Sequence, residues 1–497
     1  ATEEEQIAAS DRLREYAAWP RWLREHAQRV RLGAGVRQER ENRRIGIYAP
    51  LLSSIQGRYR GRMQQAREGN APPKKPRATP TTGYVADDGT LIELLYDPAR
   101  RRTALAVCRE GKWTIEQTVT LQSGERLAPY SPGNPLIRHH VVVLPSEPVG
   151  YGSTADLANE ICAYIRRYVD LSPAYETAAV TYVLLSWVYD AFNELPYLRV
   201  RGDYGSGKTR FLLVLGALCY KAFFGSGAST VSPLFHIQDA FRGTLVLDEA
   251  DFRLSDEKAE VVKILNNGNV AGMPVLRTMQ NGKGELQPRA FQVFGPKVLA
   301  SRGEYEDQAL ESRFLTEAMG GRPIRPGIPI NLPDVYRDEA RLLRNKLLVY
   351  RFRTRHSAAI DPSLVDDALE ARRNQVLVPL LSVAPDQATR EAIGDLSQAE
   401  TRQGGEIERR LVGIIRELAS VAPGKPVSVA AITAALRASG EAAYAGIPPK
   451  LVGALVRSRL GVATTKRRGT YVIPQDQLAR LLSPDGADST SRPPRLL

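Results

Sequence analysis

The chain has 497 residues, a formal net charge of +13 and 43% hydrophobic residues. Such a length exceeds one simple core and predicts two to four domains, while the basic balance points to an anionic partner, nucleic acid foremost. Cys108, Cys162 and Cys219 lie far apart without CxxC spacing, which excludes a disulfide framework or a cysteine zinc site and fits a reducing, cytoplasmic setting.

Residues 1–77 are helix-prone and arginine-rich. The stretch "LREYAAWPRWLREHAQRVRLGAGVRQERENRRIG" would lay an amphipathic helix on a partner or a basic face on a phosphate backbone; a solvated helical face accounts for it equally well. No apolar run near the start reads as a secretion signal. "GNAPPKKPRATPTTG" (69–83) reads as a linker, with four prolines and no apolar periodicity. Residues 78–150 then change period. "LIELLYD", "TALAVCREGKWTIEQTVTL" and "IRHHVVVLP" are short β-rich runs, with a hairpin turn at "REGKW", and predict a small, mostly antiparallel β domain. Neither this part nor the N-terminal region holds a carboxylate cluster of the primase or polymerase kind.

Within 151–332 the first elements are two helices. "STADLANEICAYIRRYVDL" opens on a capping signal, and "SPAYETAAVTYVLLSWVYDAF" carries Pro173 near its first turn. The apolar part of the second is broken by Thr181, Ser186 and Asp190, so it predicts a buried helix and no membrane span. Next comes "PYLRVRGDYGSGKTRFLLVLG" (196–216). It matches G-x-x-x-x-G-K-[ST] between a strand and a helix. Gly202, Asp203, Tyr204, Gly205, Ser206 and Gly207 form the turn whose backbone N–H groups cradle phosphates. Lys208 places a cation at the β- and γ-phosphates, Thr209 offers a hydroxyl to Mg²⁺, and the helix adds its positive dipole end.

"GTLVLDEADF" (243–252) is a buried strand ending in an acid pair. It resembles the Walker B element: Asp248 would hold Mg²⁺, and Glu249 would be the base that polarises water. With the strand–helix unit between the two motifs, residues 150–330 resemble AAA+ ATPases, in the helicase-like branch that includes superfamily-3 and MCM-type hexameric motors. The resemblance implies ATP and Mg²⁺ as cofactors and an α/β fold: a P-loop core of parallel sheet with helices on both faces. It also implies a polar sensor at a strand tip, where "VFGPKVLASR" supplies Ser301 in place of the usual Asn. A trans-acting arginine finger follows from the same resemblance. Arg313, flanked by Ser312 and Phe314 in "DQALESRF", fits it, with Arg302 second. A homo-oligomer, a hexamer in the family, is the consequence.

Around Asn281-Gly282, "PVLRTMQ" and "LQPRAFQVF" predict a β-hairpin. In the resembling rings a hairpin here lines the pore and grips single-stranded DNA. Lys283 would sit at its tip, with Arg277 and Arg289 flanking it. Residues 333–402 read as a helical lid or connector. In 403–480, three short helices and a hairpin with a basic tip at Lys466, Arg467 and Arg468 resemble a winged-helix domain. Its helix at 448–459 would offer Lys450, Arg457 and Arg459 to duplex DNA. The tail 481–497 reads as disordered.

The expected function is an ATP-dependent DNA helicase or translocase, of the type the resemblance associates with phages and mobile elements. The alternative is an AAA+ switch, an initiator, loader or transposition regulator that binds DNA and recruits partners without unwinding.

Overall fold

The computed structural model describes residues 78–482, apart from 227–230, 249–255, 281–284, 306, 321–322, 368, 441–443, 445 and 468. The basic N-terminal region and the tail after 482 lie outside the described residues.

The first part is β, as its period predicts. Strands β2 (Gly83–Val85), β3 (Leu91–Asp97), β4 (Arg102–Arg109) and β5 (Lys112–Glu116) form an antiparallel sheet in that order. The β4–β5 turn is the predicted one. Glu110 and Gly111 both have positive φ, 49° and 77°, the geometry of a tight turn that follows the strands' right-handed twist. A second sheet joins β1 (Thr79–Thr81), β7 (Arg126–Pro129) and β6 (Val119–Thr120), with β1 and β7 parallel. Strands β1 and β2 correct the reading of 69–83 as linker throughout. Pro80 sits on an edge strand, where its missing N–H costs no ladder bond. Thr82 between them donates to the Ala240 carbonyl at 2.9 Å, a long-range tether that local composition does not reveal.

The helices α1 (Thr154–Tyr168) and α2 (Pro173–Val188) follow. Ser153 and Asp156 close a capping box on α1, and Pro173 takes the first position of α2, where its absent N–H is harmless. Helix α2 is buried on nearly every side, as an all-round apolar helix must be. It is the centre of one continuous core: Leu91, Leu95 and Ala106 from the first sheet, Leu184 and Trp187 of α2, and Val200 and Leu215 of the phosphate-loop unit belong to it together. The β part is therefore packed onto the central sheet, not strung beside it.

That central sheet is five-stranded and parallel, in the order β14 (Phe314–Ala318), β8 (Tyr197–Arg201), β13 (Lys297–Ser301), β10 (Leu245–Leu247) and β9 (Phe223–Gly225). Helices α3 (Lys208–Gly216), α4 (Val231–Phe241) and α5 (Asp256–Asn267) come between its strands in sequence. The predicted hairpin is present as β11 (Val275–Gln280) and β12 (Leu286–Phe291).

Helices α6 (Val335–Thr354) and α7 (Ala371–Ser382) lead to α8 (Gln387–Val421). The 35 residues of α8 run unbroken past 402, where the sequence reading divides connector from C-terminal part. Helices α9 (Val429–Ala438) and α10 (Pro449–Arg459), the hairpin β15 (Thr465–Arg467) and β16 (Thr470–Val472), and α11 (Gln475–Leu482) surround a separate core that includes Ile432, Leu436, Val452, Val456 and Ile473. Ser428 bridges to Val472 and extends the hairpin. Among the described residues no helix is long and apolar enough to cross a membrane.

Candidate nucleotide site

Strand β8 is buried from Tyr197 to Val200, and the chain leaves its carboxyl end into the glycine-rich turn. Gly205 and Gly207 take φ of 74° and 91°, a region that costs a side-chain-bearing residue roughly 1 kcal/mol or more. At Gly202 the limit is space, because a Cβ would lie 2.4 Å from the Met319 carbonyl and 2.7 Å from Ser206 Oγ. The loop is therefore wound as tightly as a backbone cradle requires. Gly207 caps α3, whose first N–H groups face the cleft.

The cleft has a volume of about 300 Å³ and is lined by residues 204–210, Asp248 and Ala300, Ser301 and Arg302. Two sequence-predicted elements meet in it directly. Thr209 Oγ1 donates to Asp248 Oδ2 at 2.7 Å, joining the start of α3 to the end of β10. Lys208 Nζ donates to the carbonyls of Gly202 and Asp203, both at 2.7 Å, so its ammonium is folded over the loop. Ser206 Oγ is buried without a hydrogen-bond partner. A hydroxyl in that condition favours a ligand oxygen.

Strand β13 lies between β8 and β10, so its tip enters the cleft between the two motifs. Ser301 there is buried; its carbonyl accepts from Gly202 N at 3.3 Å and its hydroxyl donates to Gly303 O at 2.9 Å. Arg302 lies over the ring of Tyr204, 4.6 Å from its centroid, and that ring is 84% exposed.

Arg313 is elsewhere. It precedes β14, whose Phe314 pairs with Tyr197 and whose Ala318 pairs with Arg201. It thus sits at the amino ends of the parallel strands, about 17 Å from the carboxyl ends that carry the loop, at roughly 3.3 Å per residue. Its Nη1 donates to Asn266 Oδ1 at 2.6 Å, and burial lowers its basicity. The structure brings Lys208, Thr209, Asp248, Ser301 and Arg302 into one cleft and leaves Arg313 outside it. Glu249 lies outside the described residues.

The hairpin corrects one expectation. Arg277 and Arg289 do not flank its tip; they face each other in mid-ladder. Two like charges directly opposed are unfavourable, and both are neutralised from below. Arg277 pairs with Glu260 and stacks on Phe235, and Arg289 approaches Asp239 at 3.5 Å. Lys283 lies outside the described residues, as does Arg468. In the C-terminal part Lys450, Lys466 and Arg467 are exposed, whereas Arg457 donates to Thr464 Oγ1 at 3.0 Å.

The sequence reading missed the paired carboxylates of the connection after Ser301. Arg199 and Arg201 alternate by two along β8, so they share one face. Arg199 is buried and grips Glu311 through two 2.6 Å bonds, and Arg201 Nη1 donates to Glu304 at 2.6 Å. The pattern R-x-R before a phosphate loop is the only local signal. The reading also missed the close approach of Met319, whose N–H donates to Arg201 O at 2.6 Å.

No protein-family model matches the chain, and no curated protein matches it. Among solved structures, the apo structure of the NrS-1 C terminal region (305-718) is 11% identical with a TM-score of 0.30, covering 77% of this chain and 95% of that one. Its A form is 10% identical, also at 0.30. An X-ray structure of JCV Helicase is 16% identical with a TM-score of 0.22, covering 49% of this chain and 60% of that one. Likeness at this level adds nothing to the geometry of the cleft.

Proposed function

We propose that the chain is an ATP hydrolase that drives movement on DNA, a helicase or translocase acting as a homo-oligomer. One observation carries the reading. The Thr209–Asp248 hydrogen bond joins the first turn of α3, which follows β8, to the end of β10, and the tip of the interposed β13, Ser301 and Arg302, shares the same cleft. A cradle, an oxygen pair and a polar strand tip are the parts that phosphoryl transfer needs.

The residues fit the cofactors. Thr209 and Asp248 offer only oxygen, which suits a hard cation, and a few protein ligands suffice where phosphates and waters complete the shell. Mg²⁺ bound there would neutralise phosphate charge. Lys208 would exchange its two carbonyl partners for the β- and γ-phosphates, a charge-assisted contact of higher strength. Glu249, next to Asp248, would take the proton of the attacking water. Arg302 would turn from Tyr204 to the γ-phosphate, while Arg313, remote from its own cleft, would serve the cleft of a neighbouring copy.

For the nucleic-acid side, the order α8, Ser428 bridge, α9, α10, β15, β16 supports a winged-helix reading of the C-terminal cluster, with Lys450, Lys466 and Arg467 toward duplex DNA. The switch reading has one observation in its favour. Arg277 is paired with Glu260, and Arg289 approaches Asp239 at 3.5 Å, which leaves the hairpin fewer cations for a single strand. ATP turnover with and without single-stranded DNA, beside unwinding of a forked duplex, decides between them. Stimulated turnover with unwinding establishes the motor; turnover indifferent to single strands, without unwinding, establishes the switch; no turnover overturns both.

A further inference from the structure

The connection that leaves the cleft at Arg302 reaches the C-terminal cluster two residues later. Glu304 Oε1 accepts from Arg201 at 2.6 Å and lies 3.5 Å from Arg459 Nη2. Arg201 is the last residue of β8, immediately before the phosphate loop. Arg459 is the last residue of α10, and its Nη1 lies 3.9 Å from Glu408 of α8. One carboxylate is therefore shared between the strand that carries the cradle and the helix read as the DNA-recognition element.

We propose that Glu304 holds Arg459 in competition with a DNA phosphate, so that occupancy of the nucleotide cleft and the DNA grip of α10 are linked through this carboxylate. The proposal rests on the ATPase and DNA-binding reading and deepens it. The physical reasons are three. Glu304 and Arg459 are both only partly exposed, so their attraction is screened less than that of a surface pair. Burial raises the Glu304 carboxyl, and Arg459 and Arg201 more than reverse this, so the net effect lowers it and keeps it ionised. Glu304 is two residues from Arg302, which lines the cleft, and it accepts from Arg201 directly before the phosphate loop, so a change in the loop on nucleotide binding reaches Glu304 through that bond. A guanidinium can satisfy this carboxylate or a backbone phosphate, because its planar fork matches both anions.

Glu304 is a positioning residue in this scheme, and its test reads linkage rather than activity. Affinity for a 20-base-pair duplex is measured against salt, with and without a saturating non-hydrolysable ATP analogue. In the native chain the analogue shifts duplex affinity several-fold, and by reciprocity the duplex shifts analogue affinity by the same factor. Glu304→Gln frees Arg459 to take one more phosphate, so the slope of log affinity against log salt steepens by about 0.9 and the response to the analogue disappears. Glu304→Asp retains the native behaviour. Arg459→Gln loses the analogue response without a steeper slope, and it leaves Glu304 in place should the first variant fold poorly. An unchanged slope in Glu304→Gln with an intact analogue response overturns the proposal. A native chain that binds both ligands independently does the same. A native chain that binds no analogue at all overturns the nucleotide reading, and the salt slope of Glu304→Gln still judges the competition for Arg459.

Discussion

Two clusters of charge in this molecule look alike on a list of residues and do opposite things. In the first, Glu93 of β3, Lys221 and Arg351 of α6 are buried and meet the half-buried Asp190. Arg351 donates to Glu93 at 2.6 Å and to Asp190 at 2.7 and 2.9 Å, Lys221 completes Glu93 at 2.8 Å, and the Tyr220 hydroxyl adds another bond at 2.8 Å. In the second, at the candidate nucleotide cleft, Lys208 donates to two backbone carbonyls, Arg302 lies over the exposed Tyr204, and Thr209 donates to a carboxylate that a cation would share. The first cluster is closed, with Glu93, Lys221 and Arg351 buried, Asp190 half-buried, and each charge answered by another. The second is held by partners that a phosphate or a metal would outbid under the proposed function. Closed charge joins the β part, the central sheet and α6 into one body; exchangeable charge lines the cleft where the proposed ligand would act.

That contrast can be broken at either side. The largest effect belongs to the interior. Arg351→Met strands Glu93 and Asp190 without their main partner and is expected to cost about 3–5 kcal/mol of stability, read as a lowered denaturant midpoint. A loss under about 1 kcal/mol would mean that the cluster is not what ties the parts together. At the cleft the expectation is reversed. Lys208→Ala is expected to lower ATP turnover by about 100- to 1,000-fold with little change in melting temperature, because its present partners are carbonyls that water can satisfy. Next comes Arg313→Ala, which removes one electrostatic stabiliser of the transferring group and is expected to lower turnover about 100-fold. Partial recovery on mixing with Lys208→Ala subunits supports service to a neighbouring cleft, and the absence of recovery removes the trans role.

The smallest effect is a pH dependence. Burial pushes the Asp190 carboxyl up, and Arg351 and Arg355 more than reverse it, so the carboxyl stays well below the ordinary carboxylate range. A folded value below the unfolded 3.8 means that the group contributes stability above that pH and loses it as pH falls through the folded value. Acidification from about pH 5 to about pH 2 should therefore cost the native chain on the order of 1–2 kcal/mol more than Asp190→Asn. Equal acid sensitivity in the two would show that Asp190 is not held by the arginines.

The motifs were legible because their chemistry is local. A glycine turn with Lys208 and Thr209, a buried strand ending in Asp248, and the turn at Glu110 and Gly111 each occupy a few adjacent residues, and backbone sterics dictate their shape. The linker reading of 69–83 erred in part for the same reason. Proline and threonine content suggests a loop, yet β1 pairs with β7 nearly fifty residues away. For Arg277 and Arg289, nothing in their neighbourhood in the sequence announces the pairing with Glu260 and Asp239.

By itself the sequence determined the periods of its helices and strands, the phosphate-loop turn, and the residue types able to hold a phosphate and a divalent cation. These follow from side-chain shape, glycine's freedom at positive φ and hydrophobic alternation, which act over one or two turns of chain. Only the tertiary structure decided that β13 passes between β8 and β10 and carries Ser301 and Arg302 to the cleft while Arg313 stays at the far end of the strands. It also decided which arginines are spent on carboxylates and which remain exchangeable. Strand order and charge pairing are set by packing among residues far apart in sequence, and no local pattern encodes who the distant partner will be.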